Sequence, residues 1–67
     1  MSITAEQATT LLYLSSLWEG IYRISIVTNP DALWLAECIE TGEILRARYA
    51  LDLQAEIRDH RSRLRGR

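Results

Sequence analysis

Cys38 and His60 are the side chains that could work as nucleophile and general base at neutral pH, and they are the one cysteine and the one histidine in the chain. Such a pair is catalytic when the imidazole takes the thiol proton while a third group orients the imidazole and backbone or side-chain donors hold the oxyanion. The surroundings of each residue argue against that use. Cys38 lies in the alternating run Leu33-Trp-Leu-Ala-Glu-Cys-Ile-Glu40, so it shares a strand face with Trp34 and Ala36. A cysteine buried among apolar neighbours is inert. His60 follows Leu53 and Ile57 at helical spacing, which predicts a half-buried helix-flank residue near the terminal arginines. No third group or oxyanion donor can be named, so the chain reads as non-enzymatic. A lone cysteine excludes an intrachain disulfide, and one Cys with one His falls short of a four-ligand zinc site. No cofactor is expected.

A second constellation is basic. Arg58, Arg61 and Arg65 recur at steps of three and four along one helical stripe, with Arg63 and Arg67 beyond it. Residues 1–57 hold three arginines against eight acids, a net −5, whereas residues 58–67 hold five arginines against Asp59, a net +4. Such an end could grip phosphates or an acidic partner. Against nucleic acid, no exposed aromatic lies within the stripe for base stacking. Glu56, Asp59 and the negative end of the helix dipole also absorb part of the charge.

These groups are positioned by a hairpin spanning Leu33 to Tyr49. Two alternating runs flank Thr41-Gly42, and Gly42 can take the positive φ that hairpin turns require. If Glu40 faces Glu43 across a two-residue turn, Cys38 opposes Leu45, Ala36 opposes Ala47 and Trp34 opposes Tyr49, giving one wholly apolar face. The other face then pairs Ile39 with Ile44, Glu37 with Arg46 and Leu35 with Arg48. A one-residue slip would move Arg46 and Arg48 onto the face of Trp34, where an unpaired guanidinium is costly. Turn chemistry favours instead a type I turn closed by a glycine bulge over Glu-Thr-Gly.

Upstream, Thr4 and Gln7 have capping-box spacing and predict a helix from Ala5 to about Trp18. Its Ala8, Leu11, Leu12, Ser15 and Trp18 should face the sheet, flanked by Leu14, while Tyr13 and Leu17 lie on the opposite side. Gly20 suits the helix terminus. A strand from Ile21 to about Thr28 follows, with Tyr22, Ile24 and Ile26 facing the core. Asn29-Pro30-Asp31 then makes the turn into the hairpin. Downstream, Leu53, Ile57, His60 and Leu64 predict a second helix from about Leu51 to Arg63. The expected fold is a single α+β domain over residues 1–67 in the order αβββα: a three-stranded antiparallel meander with two helices on one apolar face, ending in an Arg-rich segment, 58–67.

At 67 residues the core is small, and self-association is the remaining common source of stability. An apolar fraction of 48% suits a folded chain. Leu33, Leu35, Ile39 and Ile44 on the outer sheet face, with Tyr13 and Leu17 on the first helix, form the expected protein interface. The partners expected are a second copy and another protein, with nucleic acid, regulator- or antitoxin-like, as the alternative. No apolar run reaches the roughly 20 residues of a bilayer span and no basic n-region opens the chain. A cytoplasmic protein is expected.

Gly20-x-Tyr22-x-Ile24, Trp34-x-Ala36, Gly42 with Ala47, and Leu53-x-x-x-Ile57-x-x-His60 resemble a widespread group of short uncharacterised actinobacterial proteins, over about two thirds of the chain. That resemblance implies this fold and a cytoplasmic setting. In element order alone the chain is similar to the double-stranded-RNA-binding domain, and its βββα part to HicB-type antitoxins. The RNA-binding family carries a Lys-rich start to its second helix and a Gly-Pro-x-His loop. Here the helix begins Ala-Leu-Asp-Leu-Gln-Ala-Glu and the loop is Thr-Asn-Pro-Asp. Both departures count against double-stranded RNA, whose backbone requires cationic contacts.

Overall fold

A computed structural model describes residues 3–28 and 31–66. The order is α1 (Ala5–Leu17), β1 (Tyr22–Val27), β2 (Leu33–Cys38), β3 (Ile44–Ala47) and α2 (Ala50–Arg65). The strands form one antiparallel sheet in the order β1-β2-β3. This is the expected α+β meander. The Asn29-Pro30 part of the predicted turn lies outside the described residues, as does Arg67.

The capping box starts α1: the Gln7 N–H donates to the Thr4 hydroxyl at 3.1 Å, and the Thr4 N–H donates to the Gln7 side-chain oxygen at 2.9 Å. Gly20, at φ +79°, turns the chain into β1, and the N–H groups of Ile21 and Tyr22 both donate to the Trp18 carbonyl. The inward face of α1 is rotated from its predicted setting. Leu14 is fully buried and centres the contact, with Leu11 and Trp18 packed beside it, whereas Leu12 is 70% exposed. Steps of four and three from Gln7 through Leu11, Leu14 and Trp18 describe the buried stripe, and Leu12 lies well off it.

The hairpin keeps the predicted side-chain parity but is shifted by two residues. Trp34 opposes Ala47, Leu35 opposes Arg46, Ala36 opposes Leu45 and Glu37 opposes Ile44. The two-residue turn does not form, but the glycine bulge does, over a loop one residue longer than a type I turn: Gly42, at positive φ, and Glu43 together oppose Cys38. A four-residue loop, 39–42, closes the hairpin: the Cys38 N–H donates to the Glu43 carbonyl at 2.8 Å and the Gly42 N–H to the Cys38 carbonyl at 2.7 Å. Gly42 takes φ +79° as the last loop residue. A shift of two leaves every side chain on its predicted face, so the cost of burying arginine cannot distinguish the two registers.

The shift also corrects the cross-strand pairs. Glu37 lies opposite Arg23 and Ile44, not Arg46, and Ile39 is not opposite Ile44. Tyr49 was expected in the core facing Trp34, but it is 68% exposed. With β3 ending at Ala47, Tyr49 has left the sheet and serves as the residue preceding α2. Helix α2 begins one residue earlier and runs two further than predicted, and it buries Leu53, Ile57 and His60 as one stripe.

Leu14, Tyr22, Trp34, Ala36, Cys38, Leu45, Leu53 and Ile57 form one core between the inner sheet face and both helices. No helix among the described residues is long and apolar enough to cross a membrane.

Candidate functional site

The sheet's outer face carries no helix, and alternation from the core side places Ile21, Arg23, Ser25 and Val27, then Leu33, Leu35, Glu37 and Ile39, then Ile44 and Arg46 upon it. Ile21, Val27, Ile39 and Ile44 are exposed, between 38% and 51%. Leu33 and Leu35 are half-buried. Leu33 lies opposite Val27, and Leu35 lies between Ser25 and Arg46, whose aliphatic stem can cover it.

The ladder sorts these side chains into two patches. Ile39 and Ile21 are neighbours, because the Ile39 N–H donates to the Ile21 carbonyl at 3.0 Å, and Ile44, opposite Glu37 on the adjacent strand, lies diagonal to both Ile39 and Leu35. Val27, Leu33 and Leu35 form the patch at the other end. Arg23, Glu37, Ser25 and Arg46 separate them. The four predicted sheet residues therefore share one face, with Leu33 and Ile39 towards its two ends and Ile44 beside Leu35 between them, and Ile21 and Val27 complete them. Strand parity would have placed those two as well.

Tyr13 and Leu17 are exposed on α1. They continue a helical stripe with Glu6 and Thr10, which border a cleft of about 370 Å³ above Trp34 that is closed on its far side by Tyr49 and Ala50. Neither Tyr13 nor Leu17 lines the cleft itself. They are not contiguous with the outer sheet face, which is on the other side of the molecule.

The chemically capable groups converge in an unpredicted way. His60 was expected half-buried among arginines, yet it is 2% exposed. Its Nδ1 lies 2.6 Å from the Tyr22 hydroxyl, and its Nε2 lies 3.4 Å from a Glu43 carboxylate oxygen. A carboxylate accepts only, so an N–H at Nε2, with Nδ1 accepting from the phenol, is the tautomer that suits both contacts. The Nε2 contact is long and makes no well-formed hydrogen bond. Tyr22 lies opposite Cys38 on the neighbouring strand. Burial raises the phenol above its ordinary value of 10.0, nearby Cys38 adds to the rise, and the Arg61 guanidinium partly offsets it. Cys38 itself is buried.

Tyr22 thus pairs with Cys38 across the ladder through its backbone and with His60 Nδ1 through its phenol. The cluster ties α2 to β1 and to the hairpin loop. A histidine three residues after Ile57 on a buried stripe was the sequence signal for it. The tyrosine partner, 38 positions away, had none.

Of the basic stripe, Arg58 and Arg65 are exposed, while Arg61 is half-buried and acts on Tyr22. Arg63 pairs with Asp59 one helical turn away at 3.2 Å. No protein-family model, curated protein or solved structure matches this chain.

Proposed function

We propose that this chain is a small non-enzymatic protein–protein interaction module that acts as a homodimer and presents its outer sheet face to another protein. The observation that carries this reading is the bare sheet face, with aliphatic side chains in two patches around Arg23 and Glu37. An open sheet face is ordinarily polar, and contiguous apolar surface on a small domain marks an interaction site.

Size supports self-association. The accessible surface is 4931 Å², whereas a compact monomer of this mass exposes about 4,300 Å². The molecule is correspondingly elongated, 40 × 22 × 18 Å.

Light scattering over a wide concentration range tests the reading, on the wild type, Leu35→Glu and Leu17→Glu. A mass of twice 7.7 kDa is expected for the wild type, with an apolar dye bound to the sheet face and lost in Leu35→Glu. A monomer throughout overturns the dimer. Nucleic-acid binding that falls steeply with salt and is lost on Arg58→Gln with Arg65→Gln would replace this function with a phosphate-binding one. Truncation after Ile57 is unsuitable for that purpose, because it removes buried His60.

A further inference from the structure

Hydrogen-bond alternation shows which sheet edge is open. From the Ile39-to-Ile21 bond, the N–H and C=O groups of Arg23, Ser25 and Val27 are directed at Glu37, Leu35 and Leu33 of β2. Those of Tyr22, Ile24 and Ile26 are directed away from it. The Tyr22 N–H donates to the Trp18 carbonyl at 2.9 Å. Ile24 and Ile26 have no outward backbone partner among the described residues.

This edge has little of the usual protection, its one charge being Arg23 on the outer sheet face. β1 pairs with β2 through six successive residues without a bulge, and it contains no proline or lysine. By contrast, the other edge strand, β3, is four residues long and carries Arg46, with Arg48 just beyond it. On the core side Ile24 and Ile26 are only partly buried, so the core is incomplete at the β1 edge.

We propose that β1 pairs antiparallel with β1 of a second copy across a two-fold axis at Ser25, joining two three-stranded sheets into one of six strands. This rests on the homodimer reading and gives it a geometry. Ile24 then opposes the partner's Ile26 and Ile26 the partner's Ile24, and four hydrogen bonds use every free backbone group of these residues on both copies. A dyad at Ile24 would instead oppose Tyr22 to Ile26 and demand the Tyr22 N–H already given to Trp18. A dyad at Arg23 would oppose the two arginines directly, which is unfavourable.

The pairing also explains side chains that the monomer leaves exposed. On the core side, each half-buried isoleucine meets an isoleucine. On the outer face, Val27 comes beside the partner's Arg23 and diagonal to its Ile21. The Val27/Leu33/Leu35 patch of one copy thereby becomes continuous with the Ile21/Ile39/Ile44 patch of the other. Two interrupted patches become two long apolar bands, related by the dyad and free to receive a partner. Exposed Leu12, with the small residues Ala8 and Ser15, lies on the flank of α1 away from the cleft and beside the partner's α1.

Single-cysteine cross-linking distinguishes the registers. In a non-hydrogen-bonded antiparallel pair the Cα atoms lie about 4.5 Å apart, within disulfide reach. Ser25→Cys should therefore cross-link to a covalent dimer under mild oxidation. Arg23→Cys, with its mate about 13 Å or more away along the strands, should give about tenfold less. Both positions are exposed and native Cys38 is buried, so neither folding nor a competing thiol obscures the result. Efficient cross-linking of Ser25→Cys alone, with Leu35→Glu still dimeric, supports the proposal. A dimer by light scattering that Ser25→Cys fails to cross-link, or that Arg23→Cys cross-links equally well, overturns this geometry and leaves the homodimer standing. A wild-type monomer at every concentration overturns both.

Discussion

Replacing Tyr22 by phenylalanine removes one oxygen from the core and tests what holds α2 to the sheet. The phenol donates to His60 Nδ1 at 2.6 Å, in a site where both residues are 2% exposed. Its loss leaves a buried acceptor without a partner, at a cost of about 1–3 kcal/mol. A chain of 67 residues has a total stability of roughly 3–10 kcal/mol, so one oxygen accounts for a large share. The ring remains, and with it the edge contact to Trp18 at 5.7 Å, so little packing is lost.

Urea unfolding followed by tryptophan fluorescence reads the change, since Trp34 is buried in the core. With an m-value near 1 kcal/mol/M for so small a chain, the midpoint should fall by about 1–3 M at constant m. Adding His60→Leu completes a double-mutant cycle. Because the double variant leaves neither polar partner stranded, it should be more stable than the sum of the single losses predicts, by at least about 1 kcal/mol. A Tyr22→Phe midpoint equal to the wild type, or losses that add within ~0.5 kcal/mol, would refute the assignment of this bond as the tie.

Four further outcomes follow from the same physics. The Tyr22 phenol is raised above 10.0, mainly by burial; the folded state therefore holds its proton longer than the unfolded chain, and this stability is whole below pH 10 and lost as pH rises through the folded value. Thermal midpoints from pH 9 to 12 should decline more steeply for the wild type than for Tyr22→Phe. Gly42→Ala meets no atom within 4 Å yet must hold φ +79°, so it should cost about 1–2 kcal/mol of backbone strain, read as a lower urea midpoint. Thr4→Ala removes the α1 cap and should cost about 0.5–2 kcal/mol, with loss of helical circular dichroism confined to that helix's share. Leu35→Glu should keep the monomer fold at a cost of about 1 kcal/mol, because the side chain is half-buried on the outer sheet face, while abolishing apolar-dye binding there.

The local elements were legible in the sequence. Thr4 with Gln7, the alternation of Tyr22, Ile24 and Ile26, and the four-three spacing of Leu53, Ile57, His60 and Leu64 each encode one periodicity or one cap within a few residues. Side-chain parity in the hairpin was also legible, because an arginine on the core side is penalised whatever the loop. Its register was not, since moving two residues leaves parity unchanged and only the loop geometry at Gly42 selects between the alternatives. That single shift placed Tyr49 in solvent and separated Glu37 from Arg46.

The sequence by itself determined the order and approximate extents of the elements and that the outer sheet face carries aliphatic side chains. Tertiary structure decided three other matters: the setting of α1 on Leu14, the grouping of the outer residues into two patches, and the meeting of His60 with Tyr22 and Glu43. The physical reason is range. Periodicity and capping act between neighbours along the chain, whereas the roll of a helix and the partner of a buried imidazole depend on how separate elements pack, and no local pattern records that.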